Sequence, residues 1–141
     1  MSVLISVLNY NNFKCTANCI YSILKSSYKN FEILIVDNKS IDNSFMQLKK
    51  EFSKLNCIQS PTNGGYAAGH KIAVNYAIEK KFDFIWILNN DLTVRKDSLE
   101  ELLNSYKRNG IALYGSISLK SENPDIINLG GGLTHNSNEP L

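Results

Sequence analysis

Histidine, tryptophan, cysteine and arginine are all scarce in this sequence. Its 141 residues contain 2 His, 1 Trp and 3 Cys. The only arginines are Arg95 and Arg108. Isolated histidines, His70 and His135, supply neither a catalytic triad nor a zinc site, and His70 reads as an exposed helix residue without a role. An odd cysteine count with no paired framework argues for a reduced, cytoplasmic setting. Cys15 and Cys19 lie one helical turn apart, but no second pair completes a metal set, so both read as buried small hydrophobes. Charge of one sign is missing too: Lys plus Arg number 15, Asp plus Glu 13, leaving a net +2. That excludes an electrostatic nucleic-acid footprint. There is no long hydrophobic run either. Residues 2–8 fall far short of the ~20 apolar residues of a membrane span and lack the basic n-region of a signal peptide.

What is present suits one soluble globular domain of ordinary size. Hydrophobic residues make up 43% and charged residues 20%, with only 3 Pro and 8 Gly, so neither a disordered segment nor a collagen-like fibre is possible. Asparagine is abundant, and lysine far outnumbers arginine. Both are read as coding bias, which gives single asparagines little functional weight.

Residues 3–8, 33–36 and 84–88 are nearly unbroken in β-branched and aliphatic side chains. Short apolar runs without alternation are the mark of strands buried on both faces, as in a parallel sheet. Trp86 lies inside the last run, where core packing accounts for it. Cys57-Ile58 is a shorter strand candidate and residues 111–119 a later one. Helical spacing fills the gaps: Cys15, Cys19, Ile20, Ile23 and Leu24; then Phe45, Leu48, Phe52 and Leu55; then Ala68, Ile72, Ala73, Tyr76 and Ala77. A fourth helix is capped by Asp97 with Glu100 three residues on, carries Leu99, Leu102, Leu103 and Tyr106, and ends before Asn109-Gly110. The alternation predicts a doubly wound α/β domain, its sheet mostly parallel and covered by helices on both faces. Residues 121–141 differ, with Gly130-Gly131-Gly132, one apolar patch at Ile126-Ile127 and a polar ending.

Ligands of open α/β sheets bind beyond the carboxyl ends of the strands, and polar residues gather there. The first strand runs into Asn9-Tyr10-Asn11, the second into Asp37-Asn38-Lys39-Ser40-Ile41-Asp42. The third is followed by Asn63-Gly64-Gly65-Tyr66-Ala67-Ala68-Gly69, and the fourth by Asn89-Asn90-Asp91. Asp91 is either a cap of the next turn or a ligand of a hard cation completed by diphosphate and water. Asp37 either closes a turn to Ser40 or accepts the imide N3–H of uracil or thymine, a donor that cytosine lacks. The glycine segment is no P-loop, because His70 follows Gly69 where Lys and Ser or Thr are required, and it is no G-x-G-x-x-G fingerprint. A tight turn opening a helix remains, with backbone amides that favour negative charge. A nucleotidyltransferase would place a glycine-rich basic signature after the first strand, and a response-regulator domain would place paired acids there. Asn9-Tyr10-Asn11 fits neither.

The four segments, in that order, resemble the family 2 glycosyltransferases, most closely the rhamnosyltransferase-like members, from about Val3 to about Gly132. The resemblance implies a GT-A fold, a nucleoside-diphosphate sugar linked to UDP or dTDP, and a divalent metal, Mg²⁺ or Mn²⁺. It implies an inverting transfer to a glycan or lipid-linked acceptor in polysaccharide assembly, in the cytoplasm or peripherally at the inner membrane face. Residue by residue, it makes Asp37 the base-recognising acid, places Tyr10 at the base pocket and counts Asn9 among the nucleotide-sugar-binding residues. Asn63, Gly64 and Gly65 match the donor-binding turn, Asn90 lies near the ribose, and Asp91 holds the metal. Residues 1–120 then form the nucleotide-sugar-binding domain, and 121–141 open an incomplete acceptor half. The catalytic base is expected beyond Leu141. The alternative is a non-catalytic nucleotide- or protein-binding module.

Overall fold

A computed structural model describes residues 1–120 and 126–129 of the chain. The chain divides into two compact units, Met1–Asp97 and Ser98–Leu141. In the first, the apolar runs become β1 (Val3–Asn9), β2 (Phe31–Asp37) and β4 (Phe84–Asn89), joined by the shorter β3 (Asn56–Gln59). All four pair in parallel in the order β3-β2-β1-β4. The helices α1 (Phe13–Leu24), α2 (Ser44–Glu51) and α3 (Gly65–Glu79) form the crossovers that parallel pairing requires.

The pleat sorts the strand residues between two faces. Leu4, Leu34 and Val36 pack with Ala73 and Ala77 of α3. Ser6, Leu8 and Asn38 share that face by alternation. Val3, Ile5, Val7 and Asn9 point the other way, as do Ile33, Ile35 and Asp37, and the hydrogen bonds that Asn9 accepts from Thr16 of α1 and donates to Ser44 of α2 place those helices there. Close packing of α3 on β1 needs a glycine. A Cβ on Gly69 would meet Leu8 Cδ1 at 2.4 Å, so the residue lets the helix sit down on the strand.

The central strands are buried as expected, with Val3, Leu4, Ile5, Val7 and residues 33–36 all at 3% exposure or less. Strand β4 is not. Only its Leu88 is buried, and Trp86 is half-exposed rather than a core residue. The reason is position: among the described residues β4 pairs only with β1, so one long side lacks a neighbouring strand. Cys19 is buried but Cys15 only half-buried, and Leu24 is exposed, because α1 offers a narrower stripe than its sequence suggests.

In the second unit, α4 (Ser98–Asn109) buries Leu99 and Leu103. The strand expected over 111–119 shrinks to β5 (Ser118–Leu119), which pairs antiparallel with β6 (Ile127–Leu129). Ile111 and Leu113 are fully exposed, so that apolar stretch has no partner surface among the described residues. Gly130-Gly131-Gly132 and the polar ending lie outside them. Among the described residues no helix is long and apolar enough to cross a membrane.

Candidate functional site

At the carboxyl ends of β1 and β2, Asn9 pairs in register with Asp37. Both are fully buried, so their polar atoms require protein partners. Asp37 has four. Its Oδ2 accepts from Asn9 Nδ2 at 2.7 Å and Ser40 Oγ at 2.6 Å, and its Oδ1 from the Ser40 amide at 2.9 Å and Gln59 Nε2 at 3.0 Å. A carboxylate has about four acceptor positions, and this one is full. Burial is the largest single influence on its pKa and pushes upward; the bonds from Ser40, Gln59 and Asn9 together outweigh it and hold the group below the usual carboxylate range. The turn to Ser40 therefore forms as one of the two sequence alternatives has it.

The Asn9 amide lies beneath this turn. Its Nδ2 also reaches Ser44 Oγ at 3.0 Å, and its Oδ1 accepts from Thr16 Oγ1 at 2.6 Å. Thr16 in turn accepts from Asn90 Nδ2 at 2.8 Å. The ends of β1, β2 and β4 are thus joined through one residue of α1.

The α3 face is finished differently. Asn38 is 4% exposed and donates from Nδ2 to Asn63 Oδ1 at 2.7 Å. Asn63 Oδ1 also accepts from the Gly65 amide at 3.2 Å, which fixes the sense of the pair and leaves Asn38 Oδ1 buried with no partner. Gly65 opens α3 at φ +78°, a left-handed conformation that suits glycine. A Cβ on Gly64 would come within 2.6 Å of the Ala68 Cβ. The glycine pair therefore makes the tight turn, with Asn63, Gly64 and Gly65 all exposed at the rim.

His70 departs from expectation. It is 3% exposed, its Nδ1 lies 2.9 Å from Ser6 Oγ, and Tyr66 meets its ring edge-on with centroids 4.4 Å apart. Its Nε2 has no partner, and burial lowers its pKa. The helix turns it onto the sheet because Gly69, beside it, lets α3 pack closely against Leu8 of β1.

Tyr10 and Asp91 are exposed at the rim and Asn90 is half-buried. Among the described residues no cluster of three His, Cys, Asp or Glu could hold a metal by itself. Cys19 is chemically quiet: burial, then the charge of Asp91, push its thiol up to about 12, and it donates weakly to the Asn89 carbonyl at 3.6 Å. Residues that sequence reasoning missed are Thr16, Asn38, Ser44 and Gln59. Only Asn38 stood within a motif. Thr16 and Ser44 lie on helices, where nothing but the fold reveals which side chains reach the strand ends.

The carboxyl rim of the parallel sheet collects amides, a glycine turn and the exposed carboxylates of Asp42 and Asp91, the arrangement of an open α/β domain whose ligands bind beyond its strand ends. The chain belongs to glycosyl transferase family 2, whose profile matches residues 2–134. It is 33% identical to the glycosyltransferase GlyG of Streptococcus pneumoniae over 110 residues, 72% of this chain and 35% of that protein. Among solved structures it is similar to TarS 1–349 of S. aureus in complex with UDP-GlcNAc, with a TM-score of 0.65 at 23% identity over 83% of this chain and 38% of the other. It is also similar to the mannosyltransferase PcManGT of Pyrobaculum calidifontis in complex with GDP-Man and Mn²⁺, with a TM-score of 0.63 at 18% identity over 74% and 32%. At such identities the structures show the shared GT-A fold. The chain spans 35% to 48% of the length of the curated relatives it matches.

Proposed function

We propose that the chain forms the donor-binding half of an inverting glycosyltransferase and holds a UDP- or dTDP-linked sugar across the carboxyl rim of its sheet. The observation that carries this is Asn38 Oδ1, a buried acceptor without a protein partner beside the turn that opens α3. An empty buried acceptor costs about 1–3 kcal/mol, and the imide N–H of uracil or thymine is a donor of the matching kind. In this proposal Asn38 takes the base, while Asp37, filled by four donors, and Asn9 beneath it hold the turn. Tyr10 lines the base. The turn Asn63-Gly64-Gly65 offers the diphosphate a helix N-terminus, where unpaired amides favour negative charge.

Asp91 and the carbonyl oxygen of Asn90 fit a hard divalent cation in kind, since both are oxygen ligands; diphosphate and water oxygens would complete the shell of Mg²⁺ or Mn²⁺. When bound, such a cation supplies positive charge against the departing diphosphate. The acceptor is a glycan or a lipid-linked saccharide, met at the inner face of the membrane. No residue among those described is assigned as the catalytic base.

Calorimetry on the chain tests the proposal. UDP and dTDP are expected to bind roughly 3- to 10-fold tighter than CDP, the worth of one neutral hydrogen bond. Mn²⁺ is expected to strengthen UDP binding, and Asp91→Asn to remove that increment without loss of fold, because a rim residue packs little. Equal affinity for all three nucleotides, or an increment that Asp91→Asn leaves intact, would count against the respective assignment.

A further inference from the structure

The buried run from Asp37 to Asn90 has a direction. An ionised carboxylate only accepts, so Asn9 must present Nδ2 to Asp37, at 2.7 Å. That turns Asn9 Oδ1 toward Thr16, whose hydroxyl carries a single proton. Two acceptors lie near it, Asn9 Oδ1 at 2.6 Å and the Asn12 carbonyl at 2.9 Å, and Asn9 is the closer. With its proton committed there, Thr16 Oγ1 offers only lone pairs to β4, and Asn90 must answer with Nδ2, at 2.8 Å. Every donor points the same way, Asn90 to Thr16 to Asn9 to Asp37, and such head-to-tail chains strengthen one another. The charge on Asp37 therefore decides which atom Asn90 shows at the other end: nitrogen inward, carbonyl oxygen left free of the network, next to the exposed Asp91.

We propose that Thr16, fully buried on α1 and in contact with neither ligand, is a positioning residue for metal-assisted nucleotide binding. Its hydroxyl locks the Asn90 amide in the sense that presents oxygen to a cation, and it ties that sense to the base end of the site. Without the hydroxyl, the Asn90 amide is free to turn and to offer its NH₂, which repels a cation. The role rests on the donor-binding proposal above.

The test is UDP affinity with and without Mn²⁺ for the unmutated chain, Thr16→Val and Thr16→Ser. The Mn²⁺ increment is expected to fall about 3- to 10-fold in Thr16→Val, on the scale of one hydrogen bond, and to return in Thr16→Ser. Metal-free affinity is expected to stay within about twofold throughout, because Thr16 does not touch the base. An undiminished increment in Thr16→Val, or an equal fall with and without metal alongside a lowered Tm, overturns the role. UDP binding with no Mn²⁺ increment in the unmutated chain overturns it and leaves donor binding standing; no UDP binding at all overturns both. Should Thr16→Val not fold, side-chain amide NMR decides. The Asn90 Nδ2 protons are expected to exchange more slowly than those of exposed Asn18 in the unmutated and Thr16→Ser chains, and to lose that protection in Asp37→Asn. Protection indifferent to Asp37→Asn overturns the directional chain.

Discussion

Asp37 and Asn38 are neighbours in sequence, yet the pleat of β2 sends them to opposite faces of the sheet, and the two faces are finished differently at the rim. On the α1 and α2 side, Asp37 and Asn9 have their acceptor and donor positions filled by Ser40, Gln59, Thr16 and Ser44. On the α3 side, Asn38 Oδ1 and His70 Nε2 are buried with nothing to bond. A saturated face is a scaffold, because any ligand atom must displace a bond already made. A face with unpaired polar atoms can gain a bond on binding. On the proposed function, the filled bonds stabilise the strand ends on one side, and the unpaired Asn38 oxygen on the other is the atom that reads the base.

The largest expected effect breaks the saturated face. Asn9→Leu removes the amide shared by Asp37 and Thr16 and leaves a buried carboxylate short of a donor. Hydrogen bonds to charged groups contribute about 1.5–3 kcal/mol each, and orphaned partners add to that, so a loss of about 3 kcal/mol is expected in urea unfolding at unchanged slope. Asn38→Leu removes one bond, to Asn63, and an acceptor that was already unsatisfied. Its stability is expected to change by less than about 1 kcal/mol, while the preference for UDP over CDP disappears. If the two variants lose equal stability, the division between scaffold and reading face is wrong.

Much of the scaffold was legible in the sequence, and less of the division between its faces. Unbroken apolar runs in β1 and β2 and helical stripes between them predicted a parallel α/β sheet, because burial on both faces leaves that imprint. The rim motifs pointed to the strand ends for the same reason. The exposure of β4 was not legible, since an edge strand and a central one can share a composition. Nor was the burial of His70, which depends on Gly69 admitting the helix to β1. Coding bias gives a single asparagine little weight, yet the motifs single out Asn9, Asn63 and Asn90, and the fold adds the buried Asn38. Composition explains how many there are, and only the fold shows which ones are enclosed.

A smaller effect probes the second orphan atom. Burial lowers the pKa of His70 from the ~6.5 of an unfolded chain. The unfolded state therefore binds more protons near that pH, and stability rises with pH. The sign follows: full stability above about pH 6.5, declining as pH falls below it and levelling once the folded histidine is also protonated. Asp37 contributes in the same direction but only in more acid solution, below about pH 4. The groups facing His70 are the Ser6 hydroxyl and the Tyr66 ring. His70→Gln is expected to flatten the urea midpoint between pH 7.5 and 5.5, and His135 is common to both chains. A slope that survives the substitution would mean that His70 is not the group protonated on unfolding.

The smallest expected effect lies in the turn between the two faces. Lys39 sits at φ +62° and Asn11, across from it, at φ +49°. A side chain in this conformation costs about 1–2 kcal/mol unless it is glycine or a short residue that bonds locally. Asn11 is such a residue: its Oδ1 accepts from the Ile41 backbone amide at 2.8 Å, and its own backbone N–H donates to Ser40 Oγ at 2.9 Å. Lys39 is exposed and shows no compensating side-chain bond among the described residues. Lys39→Gly relieves the strain but gives the unfolded chain more freedom, an offset of about 0.5–1 kcal/mol. The net gain is expected to be about 0.5 kcal/mol, read as a small upward shift of the urea midpoint. Asn11→Gly gains the same relief but loses the Oδ1 bonds that pin the Asp37 turn, so it is expected to destabilise. Opposite signs at two residues of like backbone would show that the turn is held by its hydrogen bonds and only strained by its lysine. A loss of stability in both would instead make the Lys39 side chain part of what holds the turn together.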